Sequence, residues 1–195
     1  GPGNAVVAAS GTLNISTGNA KYLATSLTNN GTMDWQNGVI NFFASPTLTN
    51  NGIWNITGTN TTSFGDSYGN VVNSGTITKS SSGNSDFAYV QTFTNNMGAT
   101  INCNAGDLRM GGAGNPIFNN AGALVFNGGM FTLNGNITFN YNTGTTVSGT
   151  GTFNNNGTLM LNISAVFPST MNVTSTTVIT GVGNLTLNSD FVIQN

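Results

Sequence analysis

Charge is what this chain most lacks. Of 195 residues only 4% are charged: three Lys or Arg, five Asp, no Glu and no His. An ordinary soluble domain carries about 25%. Without histidine no Ser-His-Asp or Cys-His pair exists, and imidazole-based metal sites are excluded. Three cations in a chain of net charge −2 argue against nucleic acid as a partner, because neutralising phosphates takes clustered Lys and Arg. The single cysteine, Cys103, allows no internal disulfide and leaves the redox compartment unread. No apolar run approaches the roughly 20 residues of a membrane-spanning helix.

What is present in quantity is Asn, Thr, Ser and Gly, together with 37% hydrophobic residues and a mean hydropathy near zero. Val, Ile, Leu and Phe occur throughout, so the chain is not a disordered polar tract. Nine N-x-S/T sequons, beginning at Asn14 and ending at Asn184, speak against a eukaryotic secretory origin, where many would carry glycans over strand surfaces. We therefore expect a bacterial protein, extracellular or at the cell surface. Gly1-Pro2 has the look of a scar left by proteolytic removal of a tag.

The sequence repeats itself. Segments such as SLTNNGTMDW (26–35), TLTNNGIWNI (47–56) and GTFNNNGTLML (151–161) share an apolar residue, an Asn-rich corner ending in Gly, and an alternating run. Aligned on Gly11, Gly31, Gly52, Gly75, Gly98, Gly122, Gly157 and Gly183, the steps are 20, 21, 23, 23, 24, 35 and 26 residues. A fixed unit with small insertions is the mark of a solenoid. After the glycines, Leu13/Ile15, Met33/Trp35, Trp54/Ile56, Ile101/Cys103, Leu124/Phe126, Leu159/Leu161 and Leu185/Leu187 alternate with Asn14, Asp34, Asn55, Asn102, Val125, Met160 and Thr186. Period two is a strand pattern, and no window sustains a helical period. Asn and Gly tolerate the left-handed conformations of sharp corners.

Twenty-odd residues accommodate about three short strands and their turns. The expectation is one all-β domain over 1–195, a right-handed parallel β-helix of about eight coils of 20–26 residues. A β-sandwich, the competing fold, does not explain the constant corner. Apolar columns would fill the interior, and stacked Asn would form ladders at the corners. The register is least defined between Gly122 and Gly157, where LNGNITF (133–139) is read as lying on another face or 127–150 as containing a loop. A protruding loop is expected within 57–69.

The G-x-G-x-F-N-N-N-G-T-L-x-L run of 149–161, repeated loosely along the chain, resembles bacterial surface β-helix proteins of the filamentous-haemagglutinin and autotransporter-passenger kinds. That resemblance implies a segment of a larger exported adhesin, with neighbouring solenoid segments and glycans or cell-surface ligands as partners. It carries no binding site with it.

Site candidates lie where the repeat is interrupted. Asp66, Asp86 and Asp107 are 20 and 21 residues apart, so they would stack on one face, with Arg109, Tyr68 and Tyr89 nearby. Carboxylates in that arrangement suit Ca²⁺, a hard cation taking oxygen ligands, or a carbohydrate site. The same set defines the enzymatic alternative, a polysaccharide lyase or hydrolase; the bland reading is that Asp favours turns. Trp35, Trp54 and Cys103 fall in inward positions and read as core. Lys79 also falls there, so either its strand ends early or its side chain reaches solvent. A third functional reading, ice binding, rests on Thr12, Thr32, Thr76, Thr100 and Thr158 forming a ladder, against an irregular partner column that includes Val125 and Met160.

Overall fold

A computed structural model describes residues 3–59, 62–112, 114–168, 170–174 and 177–194. Among them there are 27 strands and no helix. The strands follow one another around three faces, and each pairs in parallel with the strand three further along the chain, except that Thr146–Gly149 and Ala165–Phe167 are not paired. Face A runs in nine rungs from Asn4–Val7 to Val178–Gly181. Face B runs in seven from Thr12–Ile15 to Thr146–Gly149, followed by the pair Ala165–Phe167 and Leu185–Leu187. Face C runs in nine from Lys21–Leu23 to Phe191–Gln194. Nine rungs are joined by eight steps of one turn, and the fold is a parallel β-solenoid.

Paired residues on face A give the length of each turn: 22, 21, 23, 22, 25, 21, 20 and 20 residues. No turn is 35 residues long, so the sequence alignment slipped after Gly122. Gly157 precedes Thr158–Leu161, a face A strand, whereas Gly31, Gly52 and Gly75 precede face B strands. Two face B rungs had gone unseen, at Thr146–Gly149 and Ala165–Phe167. The slip has a chemical cause. The Gly157 amide donates to Asn155 Oδ1 at 3.1 Å, just as the Gly31 amide donates to Asn29 Oδ1 at 3.2 Å. The same local corner is used at two different corners of the coil. LNGNITF does lie on other faces, its ends falling in Met130–Leu133 of face C and Thr138–Tyr141 of face A.

At the corner from face A to face B the amides stack. Asn29, Asn50, Asn73, Asn95 and Asn120 are all fully buried. Each Nδ2 donates to the Oδ1 of the next, at 2.7, 2.8, 2.8 and 2.7 Å. Asn120 ends the ladder by donating to the Thr145 hydroxyl at 3.1 Å, because the next residue in the column is Tyr141. Carboxamides suit this place because each has both a donor and an acceptor edge to offer. Asn155, at the other corner, has Leu133 and Val173 as column neighbours and so builds no ladder. The glycines beside the ladder are required by contact: a β-carbon at Gly52 would strike the Gly31 carbonyl oxygen, and one at Gly75 that of Gly52.

The interior is a continuous column of apolar side chains. Trp35 and Trp54 are fully buried and stack with centroids 6.0 Å apart. Phe64 and Phe87 close against them from face C. Further along, Phe118, Phe131, Phe139, Phe153 and Phe167 continue the run. Cys103 is buried among them, and burial pushes its thiol pKa up, so it is an apolar filler rather than a nucleophile.

One local expectation is narrowed and another corrected. Within 57–69, Thr62–Asp66 is a face C strand with Phe64 in the core, so the expected loop does not span the segment, and residues 60 and 61 lie outside the described ones. Lys79 neither ends its strand early nor reaches solvent. Thr76–Lys79 runs in full, and the lysine is completely buried. Its ammonium donates to the carbonyl and hydroxyl of Ser81 at the next corner, and the Ser81 hydroxyl in turn donates to Gly58 O. Burial lowers its pKa, against the opposing pull of Cys103 and Asp107.

Candidate functional site

The six residues singled out from the sequence separate into a charge cluster, an aromatic hollow and one solitary acid. Register explains the division. On face C, Asp86 pairs with Arg109 on one side and Ser63 on the other. Asp107 pairs with Asn84, so it occupies a different column. Asp66 lies three residues beyond Ser63, at the exposed end of its strand, with φ at 67°. A spacing of 20 and 21 residues is therefore close to one turn but not in register. Among the described residues no three His, Cys, Asp or Glu side chains come together as a group that could hold a metal ion.

The charge cluster joins Asp86, Asp107, Arg109 and Thr132. Arg109 Nε donates to Asp107 Oδ2 at 2.8 Å, and its Nη1 lies 3.7 Å from Asp86 Oδ1. The Thr132 hydroxyl donates to Asp107 Oδ1 at 2.8 Å. Asp107 is buried, while Arg109 and Asp86 keep 35% and 28% of their side chains exposed. Burial raises the Asp86 pKa, Arg109 opposes that rise, and the neighbouring Asp107 adds to it. The hydrogen bond to Asp107 raises the Arg109 pKa. Both oxygens of Asp107 are thus committed within the protein, and only Asp86 presents a carboxylate to solvent. A pair of carboxylates flanking a substrate bond, as glycoside hydrolysis requires, is not formed.

The cluster continues as a polar column. Thr132, Asn154 and Asn172 follow Arg109 in register, and each amide donates backward, Asn154 to Thr132 at 3.1 Å and Asn172 to Asn154 at 2.8 Å. This run was missed from sequence because its members belong to three different sequence units.

Tyr68 and Tyr89 meet at the edge where face C turns into face A, with ring centroids 6.1 Å apart and planes tilted by 44°. Tyr68 shares a shallow hollow with Ser45, Gly69, Asn70 and Gln91. Ala44 and Ser45, on the hollow's flank, hold left-handed backbone conformations with φ of 62° and 54°. The rings offer an apolar surface and the amides and hydroxyls neutral hydrogen bonds. Asn70 and Gln91 were not among the sequence candidates; nothing in their local pattern distinguishes them from the many other amides.

Outward residues on face A form two parallel columns. Ser26/Thr28, Thr47/Thr49, Asn70/Val72, Thr92/Thr94, Ile117/Asn119, Thr138/Asn140 and Thr158/Met160 succeed one another in register. Thr12, Thr32, Thr76 and Thr100 do stack on face B, interrupted by Ile53. Thr158 belongs to face A instead. No helix of the described residues is long and apolar enough to cross a membrane. No protein-family model, curated protein or solved structure matches this chain.

Proposed function

We propose that this chain is a non-enzymatic adhesive rod of a bacterial extracellular or cell-surface protein, akin to the β-helix adhesins its repeats resemble, and that it binds neutral glycans. The observation that carries this reading is the Tyr68–Tyr89 pair beside Asn70, Gln91 and Ser45. Aromatic faces beside neutral donors and acceptors suit a ligand made of apolar C–H faces and hydroxyls. The scarcity of charge supports it too, since a surface poor in charge selects little by sign. The lyase or hydrolase alternative is less well supported, because Asp107, although on the outer side of face C, is buried beneath its neighbours and bound to Arg109 and Thr132. The test is binding to an array of neutral and acidic glycans, with the double variant Tyr68→Ala/Tyr89→Ala beside the parent. Retained neutral-glycan binding in the variant refutes the site, and release of shortened products from a polysaccharide refutes the non-enzymatic reading.

Ice binding has a specific observation in its favour: the Ser/Thr pairs of 26/28, 47/49 and 92/94 share face A at fixed rung spacing. Asn70/Val72 interrupts them. Thermal hysteresis on cooling, lost on Thr47→Tyr/Thr49→Tyr, is the expected result for this reading; its absence in the parent removes it.

A further inference from the structure

Six asparagines of this chain are followed directly by glycine: Asn30, Asn37, Asn51, Asn127, Asn134 and Asn156. Asparagine is chemically labile, and an Asn-Gly pair is well placed to react with itself. The glycine nitrogen can close a five-membered ring on the asparagine Cγ, and glycine has no β-carbon to shield that nitrogen or restrict its backbone. Four of the six pairs are held by the coil. The Gly31 and Gly157 amides donate to Asn29 Oδ1 and Asn155 Oδ1 at 3.2 and 3.1 Å. The Gly52 amide donates to Asn29 O at 3.1 Å. The Gly38 amide donates to Asn37 Oδ1 at 2.8 Å, and Gly38 is buried away from water. Gly128 and Gly135 differ. Both are exposed, and neither amide has a hydrogen-bond partner among the described residues. Their φ angles are 95° and 65°. A β-carbon on Gly135 would meet nothing within 4 Å, and one on Gly128 would meet Asn104 O at 3.7 Å, so both glycines stand clear of the wall. They lie at the two corners of a single rung in the body of the solenoid, on either side of Met130–Leu133.

We propose that Asn127 and Asn134 are modification sites, at which the folded chain converts asparagine to aspartate and isoaspartate without an enzyme. The amide nitrogen of Gly128 or Gly135 loses its proton to base and attacks the preceding asparagine Cγ. A new C–N bond forms, the bond from Cγ to Nδ2 breaks, and ammonia leaves after taking a proton from solvent. The cyclic imide then takes up one water. Opening at one carbonyl gives aspartate, and opening at the other gives isoaspartate, whose main chain runs through the former side-chain carbon. The sum is asparagine and water in, acid and ammonia out. The attacking nitrogen must be free of a partner and open to base, and the coil leaves that condition met at these two corners. Each event adds one negative charge, so the formal net charge goes from −2 to −4 when both sites have reacted. In a chain with five acids that is a large change, and both new carboxylates flank one strand. That strand lies beside Asp107–Met110, which carries the Asp107–Arg109 bond. The fold withstands the change because both sites are corners outside the strands. The Asn127 amide gives up an exposed bond to Asn104 Oδ1 at 3.3 Å, where water replaces it.

Incubation of the folded chain at mildly alkaline pH, sampled over time by chymotryptic peptide mass spectrometry, tests the proposal. Cleavage after Phe, Trp and Leu places each Asn-Gly pair in its own peptide, Asn127 in 127–131 and Asn134 in 134–139. Asn127 and Asn134 are expected to react about tenfold faster than the other four. That ratio corresponds to about 1.4 kcal/mol, the upper part of what one hydrogen bond contributes. In urea, where the coil no longer holds any glycine amide, all six are expected to react at similar rates. Isoelectric focusing of the folded parent should show two successive acidic steps. Asn127→Gln/Asn134→Gln should show neither, because the ring it would need is larger and closes slowly. Equal rates at all six sites in the folded chain overturn the proposal, as does an Asn127 or Asn134 that stays intact while the unfolded chain reacts. Aspartate formed without isoaspartate means direct hydrolysis and overturns attack by the glycine amide. The circular dichroism is expected to stay constant throughout, and a reaction that instead follows loss of that signal overturns the claim that the folded chain reacts.

Discussion

Replacing Asn73 by Asp changes one atom in the middle of the amide ladder and tests whether the ladder stabilises the fold. The Asn73 amide nitrogen points at three acceptors: Gly75 O at 3.2 Å, Asn95 Oδ1 at 2.8 Å and Thr100 O at 3.3 Å. Its Oδ1 accepts from Asn50 at 2.8 Å. A carboxylate keeps the second contact and turns the first three into acceptor facing acceptor in a fully buried site. The folded protein therefore favours the protonated acid, whose hydroxyl still donates to Asn95. Holding a carboxyl of ordinary pKa, about 3.9, protonated at pH 7 costs about 1.36 kcal/mol per unit, or about 4 kcal/mol. Reducing the NH₂ donor set to one hydroxyl adds about 1 kcal/mol. The sign is that of a folded-state pKa raised above the unfolded value. Stability is retained below about pH 4 and lost as pH rises toward neutrality. Urea denaturation of parent and variant at pH 3.5 and 7, followed by the fluorescence of Trp54 and Trp35 one and two rungs away, measures the difference. We expect about 5 kcal/mol at pH 7 and about 1 kcal/mol at pH 3.5. A variant within 1 kcal/mol of the parent at pH 7, or an equal loss at both pH values, refutes the reasoning.

Lys79→Met should raise the urea midpoint at neutral pH by the equivalent of about 1–2 kcal/mol, because a buried charge gives way to an apolar chain of similar length while Ser81 keeps its bond to Gly58 O. The parent should itself gain stability as pH rises from neutrality toward about 10, since a lowered lysine pKa means that the unfolded chain takes up the proton first. Arg109→Ala should cost about 1.5–3 kcal/mol in the same assay, the worth of a hydrogen bond to the buried Asp107 carboxylate, and Arg109→Ala/Asp107→Asn should cost less than Arg109→Ala alone. Tyr68→Ala should leave the thermal midpoint within about 2 °C of the parent, because its side chain is exposed, and Tyr68→Ala/Tyr89→Ala, which also removes a ring packed against the core, should lower it further, while neutral-glycan binding is lost in both.

The fold was largely legible in the chain and the site largely was not, for one physical reason. A coil fixes inward and outward positions by alternation. Met33/Trp35, Trp54/Ile56 and Ile101/Cys103 therefore declared themselves core from their spacing alone, and the stacked Asn corner declared a ladder. Those facts need only the local period of a strand. Which corner a motif occupies is a different matter. Asn155–Gly157 makes the same local bond as Asn29–Gly31, and only pairing of Thr158 with Thr138 rather than with Thr146 places it on face A. Lys79 shows the same limit. Its position said apolar, but the Ser81 carbonyl and hydroxyl that satisfy its ammonium come from the next corner.

Side-by-side relations between turns depend on every residue inserted in between. Asp66, Asp86 and Asp107 look one turn apart in sequence, yet a drift of two or three residues divides them among different columns. The same turn lengths bring Arg109 from one rung against Asp86 of the rung before, and Tyr68 against Tyr89. The sequence by itself determined a repeating, charge-poor, strand-built rod, because composition and alternation act within a few residues. The tertiary structure alone decided which side chains became neighbours, because stacking adds up the length of every corner along the way.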